Sequence, residues 1–152
     1  MATSPKSKPA SLQAVQREAP IPISCVCSVA SCYDTKLKPK IIARMETSVK
    51  DGFKWVKTLA LLNDPSQGYK VELIVTKLER DDKKSPPRLA CTVTTKVTPR
   101  GKPGAPFSAL WNGNFDCKDA KNVDMDAIVL AAAVTSSVLQ HKAIDHILNR
   151  KD

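Results

Sequence analysis

Five cysteines and two histidines are the residues of this chain best suited to chemistry, and their spacing decides what chemistry is open to them. Cys25-Val-Cys27 sets two thiols on one face of an extended segment, with Cys32 five residues on and Cys91 and Cys117 far downstream. Thiols serve as nucleophiles, metal ligands or half-disulfides. Structural zinc takes ligands spaced two to four apart across a tight turn, in two pairs, and the second pair is missing here. His141 and His146 are five apart, which on an α-helix points them about 140° apart, unlike the i, i+4 pair that a metal takes. An odd number of cysteines without an export segment argues for reduced thiols acting as small buried hydrophobes. A thiol enzyme built on Cys25, Cys27, Cys32, Cys91 or Cys117 is the distant reading, with Cys117 and His141 as the pair to draw.

The remaining polar groups have simpler duties. No serine occupies a G-x-S-x-G elbow. Asp81, Asp82, Asp119, Asp124 and Asp126 fall where turns and helix caps are expected. The basic loop 99–106 (PRGKPGAP) leads into a strand rather than a helix N-terminus, so it is no phosphate cradle. The expectation is no enzymatic activity, no cofactor and no metal.

Two segments in 88–117 alternate with period two and set the architecture. In the first, Leu89, Cys91, Val93, Thr95 and Val97 share a face. In the second, Phe107, Ala109, Trp111, Gly113, Phe115 and Cys117 do so. Such alternation reads as strands with one dry and one wet face. Residues 21–32 and 69–79 read the same way, with Pro22 confining the first to a sheet edge or a strand's beginning. Residues 36–52 carry Ile41, Ile42, Met45 and Val49 at helical spacing, with Pro39 in the first turn and Gly52 suited to the C-terminal cap. Residues 53–62 are ambiguous and are read as a strand from Phe53. Residues 124–149 read as the closing helix, capped by Asp124 or Asp126, with Leu130, Val134, Ser137, His141, Ile144 and Leu148 forming one seam. Its first half is apolar almost all round, so it has more than one neighbour: the first helix, or another subunit. The order strand, helix, four strands, helix implies an α+β two-layer sandwich, an antiparallel sheet of about four to five strands with two helices on one face.

In a chain of 152 residues this makes one domain, 21–152, behind a proline-containing basic arm, 1–20, expected to order on a partner. The arm has no apolar core of a secretory signal, and the longest apolar run, 127–134, has eight residues, so a cytoplasmic protein without a membrane span is expected. The net charge is +9, with +4 of it in 33–57. Spread charge of this kind gives solubility and weak affinity for acidic surfaces. The aromatic platforms and recognition helices of sequence-reading nucleic-acid modules are absent.

In element order, residues 36–149 resemble two sets of proteins. One is the small α+β envelope-assembly lipoproteins, in which a strand like 69–79 precedes a hairpin like 89–98. A strand like Leu110-Trp111-Asn112-Gly113-Asn114-Phe115 and an Ala-rich helix like 126–148 then close the domain. The other is the terminator and neck proteins of phage or contractile tails, with an early helix, an antiparallel sheet and a closing Ala-rich helix. Both resemblances imply a non-enzymatic subunit of a larger assembly. In the second, arms and loops such as 1–20 and 99–106 lie between subunits. No site residue is carried over from either.

The sequence therefore points to a structural or adaptor subunit with protein partners, a homo-oligomer or multi-subunit assembly, and does not itself name an activity. The expected contact residues are Trp55, Arg100, Lys102, Leu130, Val134, His141, Ile144 and Leu148. The alternative is a basic nucleic-acid-associated module using the lysines of 36–57 and the arm.

Overall fold

The computed structural model describes residues 19–83 and 85–149. Nearly all of the 1–20 arm, including Lys6, Lys8 and Arg17, lies outside the described residues. The chain runs β1 (Ile21–Val29), α1 (Lys38–Lys54), β2 (Leu59–Leu61), β3 (Gly68–Asp81), β4 (Arg88–Arg100) and β5 (Phe107–Asp116). It closes with α2 (Val123–Val138), which continues through a π-helical turn (Leu139–Ile144) into α3 (Asp145–Asn149). This is the expected α+β fold in the expected order, a five-stranded sheet with helices on one face.

The sheet order is β2-β1-β3-β4-β5. The strands are not all antiparallel: β1 runs parallel to both β2 and β3, while β3, β4 and β5 form antiparallel pairs. Period-two alternation reports that one face of a strand is dry and is silent on its direction. α1 is a crossover helix, and a crossover returns the chain to the same end of the sheet, making β2 parallel to β1. Pro22 stands at the second position of β1, an interior strand, where the strand's beginning tolerates it.

The dry face is built from Ile23 and Val29 of β1, Tyr69, Val71, Leu73, Val75 and Leu78 of β3, and Leu89, Cys91, Val93 and Val97 of β4, all buried. A bulge between Val75 and Lys77 leaves Thr76 out of the ladder, so that Leu78 turns inward where strict alternation would put Lys77. Thr95 is fully buried within this face and donates its hydroxyl to the Glu72 carbonyl at 3.0 Å.

Two boundaries differ from the sequence reading. Phe53 begins no strand: it is buried, and with Ile41, Met45 and Val49 it completes the apolar stripe of α1 at steps of four. Only Leu59–Leu61 of 53–62 is strand, and Trp55, not Gly52, is the C-cap of α1. Gly52 lies inside the helix against the closing helix, where a Cβ would stand 2.9 Å from Leu139 Cδ2. The start of α2 is prepared by Asp119, whose carboxylate accepts from the Lys121 and Asn122 amides, rather than by Asp124 or Asp126. Those two lie in the first turn, where negative charge complements the helix dipole.

Candidate interaction surface

β5 is the longer of the two sheet edges, ten residues against three in β2. One side of its ladder is paired with β4 in unbroken register from Arg88↔Asp116 to Val97↔Phe107, and the other side faces outward. Its sequence, FSALWNGNFD, carries no Lys, Arg or Pro and a single charge at its last position. Leu110 projects from its wet face and is 50% exposed. Phe115, on the other face, shares a hollow with Lys118, Asp119, Asn122 and Asp126 at the start of α2.

α2 presents three kinds of neighbour. Val123, Ala127, Ala131, Val134 and Val138 are buried towards the sheet, and Ile128 and Ala132 are buried as well. Met125 and Val129 are exposed, at 57% and 44%. A helix with so little polar surface on any side is what the near-continuous apolar run predicted. At β5 the helix approaches closely over Gly113, where a Cβ would meet Val134 Cγ2 at 2.6 Å and Leu130 Cδ1 at 3.3 Å. A glycine inside a strand marks such a backbone approach, and this one was readable as such.

The expected seam is not one surface. Val134 and Ile144 are buried, Leu130 is half-buried against β5, and His141 and Leu148 are exposed. The π-helical turn is the reason: its bonds close over five residues instead of four, so the face drifts at Leu139–Ile144. Leu139, Ala143 and Ile147 take the buried positions beyond it. The same drift brings both histidines over β5. His141 stacks on Trp111 at a centroid distance of 5.3 Å, and His146 on Phe107 at 4.0 Å with the rings 5° from parallel. His146 is therefore half-buried, not solvated as an unbroken α-helix would have it. Lys142 adds its ammonium over the Trp111 ring at 5.9 Å.

The other expected contact residues lie elsewhere. Trp55 is 78% exposed at the end of α1, with the Lys54 ammonium 5.5 Å from its ring. Arg100 pairs with Asp64 at 3.1 Å, and Lys102 stands over the Tyr69 ring at 5.2 Å. Arg100 and Lys102 share a hollow with Ala19 and Pro20, where the described chain begins. Sequence reasoning missed Phe115, Met125 and Val129. A helical wheel of α2 carries the last two as a stripe opposite the sheet.

The catalytic pairing is not assembled. Cys117 is buried beside Asp126, fifteen residues before His141, about 20 Å along the helix. Burial raises the Cys117 thiol above its ordinary range and pushes Cys91 up to about 12, which suits inert core thiols. One helical stretch, Ala120–Asn149, is long and apolar enough to cross a membrane by length and composition. The sequence reading weighed only uninterrupted apolar runs; in the fold this stretch is the core helix laid on the sheet.

No family model and no curated protein matches the chain. Solved structures do. The hypothetical protein CT253 from Chlamydia trachomatis is similar at a TM-score of 0.59 with 6% identity, over 85% of this chain and 99% of that one. Protein XCC0632 from Xanthomonas campestris, of family DUF330, follows at 0.55 and 16%, over 82% and 84%. Rare lipoprotein B from Shewanella oneidensis stands at 0.48 and 14%, over 82% and 97%. At these identities the likeness is one of fold. It matches in part the resemblance to small lipoproteins, while the resemblance to tail terminator and neck proteins finds no support here. The expected cytoplasmic location is withdrawn: structures similar in fold include proteins described as lipoproteins, and at these identities the likeness places this chain in no compartment.

Proposed function

We propose that this chain is a non-enzymatic subunit that acts through protein–protein contact, its first partner being a second copy of itself. The observation that carries this reading is the edge of β5, ten residues long, open on one side and almost uncharged on a protein of net charge +9. Edges that must stay unpaired are shortened, bulged or armed with Lys or Pro, and β5 has none of these features. Antiparallel pairing of β5 with its symmetry mate extends the ladder across two copies as an isologous contact. Leu110 on the wet face of β5 and Phe115 on the other contribute apolar area to it. The finer form of the reading, a subunit of envelope assembly, accords with the resemblance in element order.

Light scattering on the purified chain tests this. The expected result is a mass above the monomer, reduced to the monomer by Leu110→Lys, which sets like charges across the two-fold, and by Ser108→Lys on the same face of β5. Circular dichroism should be unchanged in both. A monomeric parent, or variants that keep the assembled mass, overturns it.

A second reading rests on α1, whose exposed Lys40, Arg44, Lys50 and Lys54 end at the exposed Trp55. Basic side chains beside a stacking ring suit single-stranded nucleic acid. Fluorescence anisotropy with a labelled oligonucleotide checks it. Binding that Lys40→Glu and Trp55→Ala both weaken favours this reading, and no binding at low salt removes it.

A further inference from the structure

The Cys25-Val-Cys27 pair has no part in either surface, yet the fold places it with care. Both thiols lie on the helix-facing side of β1, in a cleft of about 290 Å³ closed from the other side by α1. Glu46, Val49 and Lys50 come from α1, and Leu61 from β2. β2 covers β1 only from Ile21 to Ile23, so past that point the outer side of β1 is open and the cleft can be entered. From the geometry we infer that Cys25 and Cys27 form a two-thiolate site for a soft monovalent metal ion, copper(I).

Ligand count argues for this ion. Structural zinc needs four ligands, and among the described residues no group of three or more His, Cys, Asp or Glu could hold a metal. Soft thiolates select copper(I), a d10 ion that two sulfurs satisfy. Backbone geometry argues against a disulfide in the same place. Cys25 and Cys27 are held in register with Val71 and Leu73 of β3, which fixes their Cα atoms about 6.6 Å apart. Disulfides bring their Cβ atoms to about 3.5–4.5 Å, whereas side chains two apart on a strand run parallel at about the Cα spacing, so a bridge would have to pucker a strand pinned on β3. An ion between the sulfurs leaves the ladder alone.

A counter-charge also lines the cleft. Lys50, in the same cleft, offsets the single negative charge of a copper(I) bis-thiolate. Binding forms two Cu–S bonds and releases two thiol protons to solvent, with no change of oxidation state, so affinity rises with pH.

The test is a titration of the full reduced chain with copper(I), without oxygen, against a chromophoric copper(I) chelator. The chain should withhold one equivalent from the chelator. Cys25→Ser and Cys27→Ser should each lose that equivalent, while Cys32→Ser should keep it. Alkylation mapping on the unaltered chain guards against variants that fail to fold: copper(I) should block labelling of Cys25 and Cys27 and leave Cys32 unchanged. The inference is overturned if the chelator takes all the copper, if both single variants still hold the ion, or if the labelling of Cys25 and Cys27 ignores copper.

Discussion

Tyr33 donates its hydroxyl to the Asp124 carboxylate at 2.7 Å and so ties the segment after β1 to the first turn of α2. Burial first, then this bond, raises the phenol above its ordinary value of 10. A group whose folded value is raised contributes stability that is complete below the unfolded value and is lost as pH climbs towards the folded one. Urea denaturation should therefore show stability falling above about pH 10. Tyr33→Phe should flatten that fall and cost about 0.5–1 kcal/mol at neutral pH, since the pair is partly exposed. None of this was legible in the sequence, because the partners are 91 positions apart and neither belongs to a periodic pattern. The thiols read better. Buried Cys91 and Cys117 behave as the small hydrophobes their strand positions implied, whereas Cys25 and Cys27 meet a cleft that only the arrival of α1 creates.

At the scale of elements, alternation located β3, β4 and β5 well because each buries one face. It failed where a single residue changes the count. The bulge at Thr76 turns Leu78 inward, and the π-helical turn re-aims everything after Val138. Both insertions are invisible to a fixed period. The short β2 was read as a strand but overextended back to Phe53, because a three-residue strand has no period to fix its start. Gly113 joins two elements that the sequence kept separate. Its missing side chain lets α2 settle over β5, and the obstacle to any Cβ is Val134, a stiff side chain that is itself buried. Gly113→Ala should lower stability by about 1–3 kcal/mol in thermal or chemical denaturation. An unchanged midpoint would mean that the helix can lift without loss.

For the whole molecule, layer order was legible and strand direction was not. The net charge of +9 was plain in composition, but its separation from a nearly neutral β5 edge needed the fold. That separation gives the two functional readings opposite responses to salt. Pairing of two positively charged copies through a neutral edge should strengthen as salt screens their repulsion. Binding to a polyphosphate should weaken as the gain from counterion release shrinks. Sedimentation and anisotropy at two salt concentrations read the two slopes directly. The position of β1 has a mechanical consequence of its own. β1 is flanked by β2 and β3, both parallel to it, through three and seven registered residue pairs. A pull on the chain at residue 19 runs along this strand, so its hydrogen bonds are loaded together in shear and not unzipped one by one. The domain can be towed from its N-terminal end with its strongest resistance engaged first, whereas the same force peeling β5 from its outer edge would meet one bond at a time.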